Sequence, residues 1–338
     1  MDAQGAEALL GFAERAGPGL KGLDRKHLFE QLEERHDELL AAMGWFVEHG
    51  RTDAAIGLAR SLAPFWTATR RLDEGAEWFD RVLLGPGGDD LNRGRACFEA
   101  GLIRFWKGED EAASALHERA IEIGKTLGDD TLWALALSGL ARIALRTDVA
   151  AARRLCREAL ALGDSPADPL GRSSAIHVLG VAAQMSGDLA EARGWMRQRI
   201  ALARQMGSFA AVSMESSNLS MVERQLGNLE RADGLAREAL GIFHRREDEW
   251  AYPYGLNSLA AVAADRGEIE RAATLIGAAE AMIEAQGAAW PPDERIHYER
   301  TVETLTASDA EIFERERAAG RAMGSAAAIA YALGAPTS

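Results

Sequence analysis

The stretches GEDEAASALHERAI (residues 108–121), GDLAEARGWMRQRI (187–200), GNLERADGLAREAL (227–240) and GEIERAATLIGAAE (267–280) are variants of one unit. Each opens on a glycine, continues with a polar residue, and sets an alanine five positions after the glycine: Ala113, Ala192, Ala232 and Ala272. RTDVAAARRLCREAL (146–160) is the same unit with its glycine missing and one residue deleted. RRLDEGAEWFDRVL (70–83) is an earlier copy with Gly75 in the alanine's place. The spacing is close to forty residues throughout, so the chain is an array of one supersecondary unit that buries its apolar face only by stacking on its neighbours.

Each copy has an upstream signature. Leu179-Gly180, Leu219-Ser220 and Leu259-Ala260 stand eight and seven residues before their turn glycine, and Leu140-Ala141 and Ala100-Gly101 hold the equivalent places. A large apolar residue beside a very small one lets helices approach closely. The glycine suits the left-handed backbone that ends a first helix, and the Asp, Glu or Asn after it is placed to cap a second. The unit is a helical hairpin, with the alanine expected where its two helices cross.

This pattern resembles the tetratricopeptide repeat, with a Leu-Gly pair in the first helix and a Gly-polar turn before an alanine in the second. The resemblance implies an all-α fold, a right-handed α-α superhelical solenoid of such hairpins. The period departs from the usual 34 residues and implies helices of about sixteen to eighteen residues. HEAT repeats share the longer period but lack the turn signal.

The array divides into a flexible N-terminal segment (1–22), about six helical pairs (23–290) and C-terminal capping helices (291–338). Residues 1–22 are small, Gly-rich and contain Pro18, and read as a loose helix and linker. A long amphipathic helix is expected from Leu23 to Gly50, a kink or stop at Pro64, and loops at 85–90 and 163–171. Pro291-Pro292 break the pattern, and one polar capping helix is expected over 311–333.

Both ends look like the repeat region of large actinobacterial regulators of the LuxR-like and SARP (AfsR-like) type. At the start, His36-Asp37-Glu38-Leu39, Phe65-Trp66 and Glu74-Gly75-Ala76-Glu77-Trp78-Phe79 match their "HDNLRAAL", aromatic-pair and "EGxxWLxxAL" features. At the end, LIGAAEAMIEAQGAAWPPDERIHYER (275–300) matches "LLGAAEALREALGAPLPPAERAxYER". Those regulators carry a P-loop ATPase and often a helix-turn-helix. Here no G-x-x-x-x-G-K-[ST] occurs, and GPGLKG (17–22) has the wrong spacing. The resemblance therefore implies a sensor or interaction arm in transcriptional regulation.

Composition narrows the function. The formal net charge is −14, which argues against direct nucleic-acid binding. No window has the apolar length of a membrane span, and the start has no basic region before its apolar stretch, so a cytoplasmic protein is expected. Cys97 and Cys156 read as buried structural thiols. The seven histidines are scattered, and neither H-E-x-x-H nor G-x-S-x-G is present. No catalytic residue, metal site or cofactor is called.

Binding is the remaining task, and stacked first helices line a concave groove. The positions that face it in tetratricopeptide proteins give Phe98, Phe105, Trp106, Arg146, His177, Gln184, Arg224, Gln225 and Asn257, with Arg142 and Tyr254 one turn away. Ser138, Met185, Ser217 and Asp265 complete the lining. Such a lining suits a peptide, a protein segment or a small polar ligand, with arginine gripping a carboxylate and asparagine an extended backbone. Chaperone-tail binding is disfavoured because the chain has only four lysines. The alternatives are an enzyme or biosynthetic accessory using the groove as a pocket, and self-association as a homodimer. Arg245–Glu249 reads as a solvated loop, and the aromatic cluster Trp250–Tyr254 as a packed corner between repeats.

Overall fold

The computed structural model describes residues 1–23, 25–162, 169–288, 290 and 292–334. The described residues form eighteen α-helices and one short 3-10 turn, Glu249–Ala251, with no strand. They fall into two units, Met1–Ser208 and Phe209–Ser338.

The first unit opens with α1 (Ala3–Gly19), α2 (Lys26–Glu34) and α3 (His36–Glu48). Four hairpins follow: α4 (Thr52–Ala68) with α5 (Leu72–Leu84), α6 (Asp90–Lys107) with α7 (Asp110–Leu127), α8 (Asp130–Ala144) with α9 (Val149–Leu162), and α10 (Pro169–Met185) with α11 (Leu189–Gln205). The second unit holds two hairpins, α12 (Phe209–Gln225) with α13 (Leu229–Arg245) and α14 (Tyr252–Asp265) with α15 (Ile269–Ala285). It closes with α16 (Pro292–Ser308), α17 (Ala310–Arg321) and α18 (Ser325–Leu333).

The repeat chemistry works largely as expected. Ala113, Ala152, Ala192, Ala232 and Ala272 have no exposed surface, and Leu179, Leu219 and Leu259 are buried beside them. The turn glycines Gly108, Gly187, Gly227 and Gly267 sit at φ of 81°, 77°, 79° and 77°, the left-handed region where a Cβ is penalised. Capping is narrower than expected. Asp148 and Asp188 accept from the backbone N–H groups of Ala151 and Glu191 at 2.8 and 3.1 Å. Glu109, Asn228 and Glu268 make no such bond, and the Asn228 amide instead donates to Glu223.

Ion pairs tie neighbouring hairpins together in a common register. Lys107, at the end of α6, meets Asp73 in the first turn of α5 at 2.8 Å. Arg146, just past α8, meets Asp110 at the start of α7 at 2.6 Å, and Arg266, just past α14, meets Glu230 at the start of α13 at 3.7 Å. In each pair the cation lies at the negative pole of one helix and the carboxylate at the positive pole of another. Exposed pairs add little stability, so their effect is on register.

Several expectations are corrected. Residues 3–19 are a packed helix rather than a loose segment: Ala6, Leu9, Ala13 and Ala16 form a buried stripe, and Asp2 caps the end by accepting from Gly5 N–H. Small residues there permit close packing instead of looseness. The expected helix from 23 to 50 is broken at Arg35 into α2 and α3. Pro64 lies inside α4 without ending it, because Leu62, Phe65 and Trp66 around it are all fully buried and hold the helix together. The expected capping helix over 311–333 is two helices, with a turn at 322–324. Arg246, read as solvated, is 2% exposed, because the chain reverses at Glu247 (φ 51°) and leaves Arg246 on the inner side. Tyr252 packs as expected, and both cysteines are buried free thiols. Of the loop expected at 163–171, residues 169–171 belong to α10, and residues 163–168 lie outside the described residues, as do Pro291 and residues 335–338.

The motifs quoted at the two ends prove to be internal contacts. Glu74 accepts from Trp66 Nε1 at 2.6 Å with one oxygen, and its other oxygen lies 3.0 Å from His36 Nε2. Phe65 and His36 have ring centroids 5.6 Å apart. Three sequence-distant motifs thus form one latch joining α3, α4 and α5. At the other end, the Tyr298 hydroxyl donates to Glu280 at 2.6 Å, and Arg317 and Arg321 reach the same carboxylate at 2.9 and 3.0 Å. Burial and then the Glu280 bond push the Tyr298 hydroxyl up to about 12. Glu280 is itself 5% exposed. Glu280→Gln removes the charge shared by three donors and is expected to lower the stability of the second unit by about 2 kcal/mol, read by thermal unfolding.

Candidate functional site

In the first unit, four of the expected residues come together where α6 and α8 end. Phe105 is buried, and the Trp106 ring packs edge-on against it at 5.2 Å while remaining 41% exposed. The Arg146 guanidinium lies 4.3 Å above the Phe105 ring and that of Arg142 lies 6.0 Å away. Arg146 is braced by Asp110 at 2.6 Å and donates to the Phe105 carbonyl at 3.3 Å. Phe105 thus supports both a part-exposed indole and a part-exposed guanidinium, groups enriched at interface hot spots.

The other expected residues of this unit lie elsewhere. Phe98 is buried in an apolar cluster with Cys97, Leu132 and Leu135. His177 is buried, and Arg199 donates to its Nδ1 at 3.1 Å, which leaves the ring proton on Nε2. Gln184 is half-buried and Met185 exposed.

In the second unit, Arg224 is buried and its guanidinium is spent on Asp265 at 2.9 Å. Gln225 is exposed. Asn257 has no exposed surface and donates to Glu294 at 3.2 Å. Tyr254 packs edge-on against Trp290 at 6.0 Å, and Trp290 stacks on Tyr298 at 5.1 Å. Ser217 and Ser258 lie within 3.4 Å of each other. Arg146 and Arg224 therefore already hold carboxylates of this chain, and the expected grip on a ligand carboxylate is taken up internally at both.

Solved structures resemble this chain in fold. A Rap protein complexed with competence and sporulation factor superposes with a TM-score of 0.56 at 12% identity, over 92% of this chain and 85% of that one. A signal-transduction ATPase with a tetratricopeptide-repeat sensor, from Pyrococcus horikoshii, gives 0.55 at 13% identity, over 94% of this chain and 51% of that one. The fold is tetratricopeptide-like. A Mycobacterium tuberculosis protein named as an HTH-type transcriptional regulator is 27% identical over 124 residues. That match covers 34% of this chain and 14% of the regulator. No family model matches the chain.

Sequence reading missed two groups. One is the buried Glu280 centre, whose signal was the one charged residue in the run from Ala272 to Ile283. The other is a cleft between α2 and the end of α4, lined by Phe29, Glu30, Glu33, Glu34, Phe65 and Thr69. Its signal was the glutamate-rich run EQLEE (30–34). Among the described residues no group of three or more His, Cys, Asp or Glu is placed to hold a metal ion, and no helix is long and apolar enough to cross a membrane.

Proposed function

We propose that this chain is a non-catalytic module that binds a peptide or protein segment through its first helices and serves transcriptional regulation. The observation that carries the reading is Trp106: a large aromatic ring left exposed beside Arg146, on a support fixed by Phe105 and Asp110. Exposed aromatic surface costs free energy in water, and an indole held rigid beside a guanidinium loses little entropy when a partner covers it. The likeness to a Rap protein complexed with a signalling factor and to a repeat sensor supports a binding role, and the match to a transcriptional regulator supports the regulatory setting.

Peptides selected against the intact chain by display are expected to lose about tenfold or more in affinity to Trp106→Ala, the effect of removing an interface anchor. Arg146→Ala should weaken them as well. Both residues are part-exposed, so the variants keep the fold, which circular dichroism checks. Selected peptides indifferent to both substitutions would remove this patch as the binding surface.

A further inference from the structure

The turn between α17 and α18 sets local preference against tertiary packing. From Ala310 to Leu333 the chain is rich in alanine, glutamate and arginine, residues that favour one continuous helix. The fold breaks it. Ala322 stays right-handed (φ −80°, ψ −9°), Gly324 is extended (φ −72°, ψ 157°), and α18 starts anew at Ser325. Ala322 and Gly324 are exposed, and nothing lies within 4 Å of a Cβ placed on Gly324. The break is therefore held from outside the turn.

What holds α18 lies on other helices. It packs on α13, α14 and α15, and its Ala328, Ile329 and Ala332 are buried in the core that those helices build. The Ala332 carbonyl accepts from Arg237 of α13 at 2.8 Å and from Arg271 of α15 at 2.9 Å. Two guanidinium groups thus sit at the negative pole of α18. Arg271 also lies 5.4 Å from the Tyr331 ring.

All of these partners would be met equally by an α18 arriving from a second chain. A helix of nine residues is too short to persist alone in water, so α18 docks wherever such a groove is offered. Straightening the turn joins α17 and α18 into one helix and carries its end about 18 Å beyond Arg321.

We propose that this turn is a hinge through which two copies of the chain exchange α18, forming a two-fold symmetric dimer. Each α18 then occupies the groove of the other copy, with the same buried side chains and the same two arginines. No contact of the groove is lost, and the straightened turn gains helical bonds that the closed form lacks. The exchange lies in the second unit and is independent of the Trp106 patch.

Two hinge variants act in opposite directions. In Gly324→Ala the closed form has space for the methyl group, but alanine is the poorer N-cap and the better residue inside a helix. Both hinges of the dimer gain, so its association constant should rise about tenfold or more. Ser325→Pro does the reverse. Proline suits the first position of α18, where Gly324 before it is already extended, and it cannot sit inside a continuous helix.

The full chain and both variants are refolded from denaturant at low and at high concentration, then sized by gel filtration with light scattering. The native chain should give a dimer fraction that grows with refolding concentration, and Gly324→Ala a larger one. Ser325→Pro should give none, with an unchanged or raised melting temperature. Monomer throughout for both the native chain and Gly324→Ala would overturn the proposal. A dimer indifferent to the two hinge substitutions would use another surface and would overturn it too. So would a fall in melting temperature in Ser325→Pro, because Gly324 would then not be the start of a separate helix.

Discussion

Gly277→Ala and Gly320→Ala are each expected to destabilise the second unit by about 2–3 kcal/mol, although alanine is the better helix former. The two glycines face each other's helices where α15 and α17 cross. A Cβ on Gly277 would stand 2.0 Å from the Arg317 carbonyl oxygen, and one on Gly320 the same distance from the Thr274 carbonyl oxygen. These are backbone atoms on both sides, so no side chain can turn away and the helices must part. Parting them strains the contacts of Glu280 with Arg317 and Arg321, and loosens Phe313 from the core. The propensity gain of about 1 kcal/mol per substitution is smaller than the overpacking cost. Gly234→Ala in α13 supplies the opposite sign, since nothing lies within 4 Å of its Cβ position and the propensity gain stands alone. Thermal unfolding decides: if Gly277→Ala raises the melting temperature as Gly234→Ala does, the close crossing does not exist.

The second large effect is on pH. His117 has no exposed surface and lies wedged between Gly101 of α6 and Gly139 of α8, each of whose Cβ positions is 2.5–2.6 Å from its ring. Neither ring nitrogen has a hydrogen-bond partner. Burial, with a smaller contribution from the Arg142 charge, lowers its pKa from 6.5 to about 4. Between those values the unfolded chain holds a proton that the folded chain refuses, so stability rises with pH across the window. The contribution is complete above pH 6.5 and is lost as pH falls toward 4, a total of about 3 kcal/mol. Acid also protonates many carboxylates, so the measurement is a difference. The stability of the native chain minus that of His117→Leu, followed from pH 8 to pH 4, should slope downward below about 6.5. Any packing cost of leucine is independent of pH and shifts the whole difference curve without tilting it. A flat difference curve would mean that His117 is solvated or paired.

These two sites show what the sequence could convey. Hairpins, their glycine turns and the buried alanines followed from a repeated local pattern, because each is fixed by contacts within one unit. Gly277 and Gly320 are 43 residues apart, and nothing in either segment marks them as neighbours. His117 lies at the centre of a helix that reads as ordinarily amphipathic, and only the two glycines on other helices explain its ring. The same holds for the candidate site. The end-of-helix positions of Phe105, Trp106, Arg142 and Arg146 were legible from repeat spacing. The commitment of Arg224 to Asp265 and of Asn257 to Glu294 was not, since each partner lies 41 or 37 residues away. The cleft at Phe29 and Phe65 joins a repeat helix, α4, to α2, which lies outside the repeat pattern, so spacing carries no information about their contact.

The pairs Lys107–Asp73, Arg146–Asp110 and Arg266–Glu230 share one polarity, with the cation always at the end of the later hairpin's first helix. Their parts are therefore interchangeable. If the gene lost the codons for α6 and α7, Arg146 would arrive where Lys107 had been and face Asp73, and the new junction would be matched in charge. Unequal recombination within such a gene could shorten the array without having to re-evolve its seams. In charge, at least, the seams would allow length to change in whole repeats.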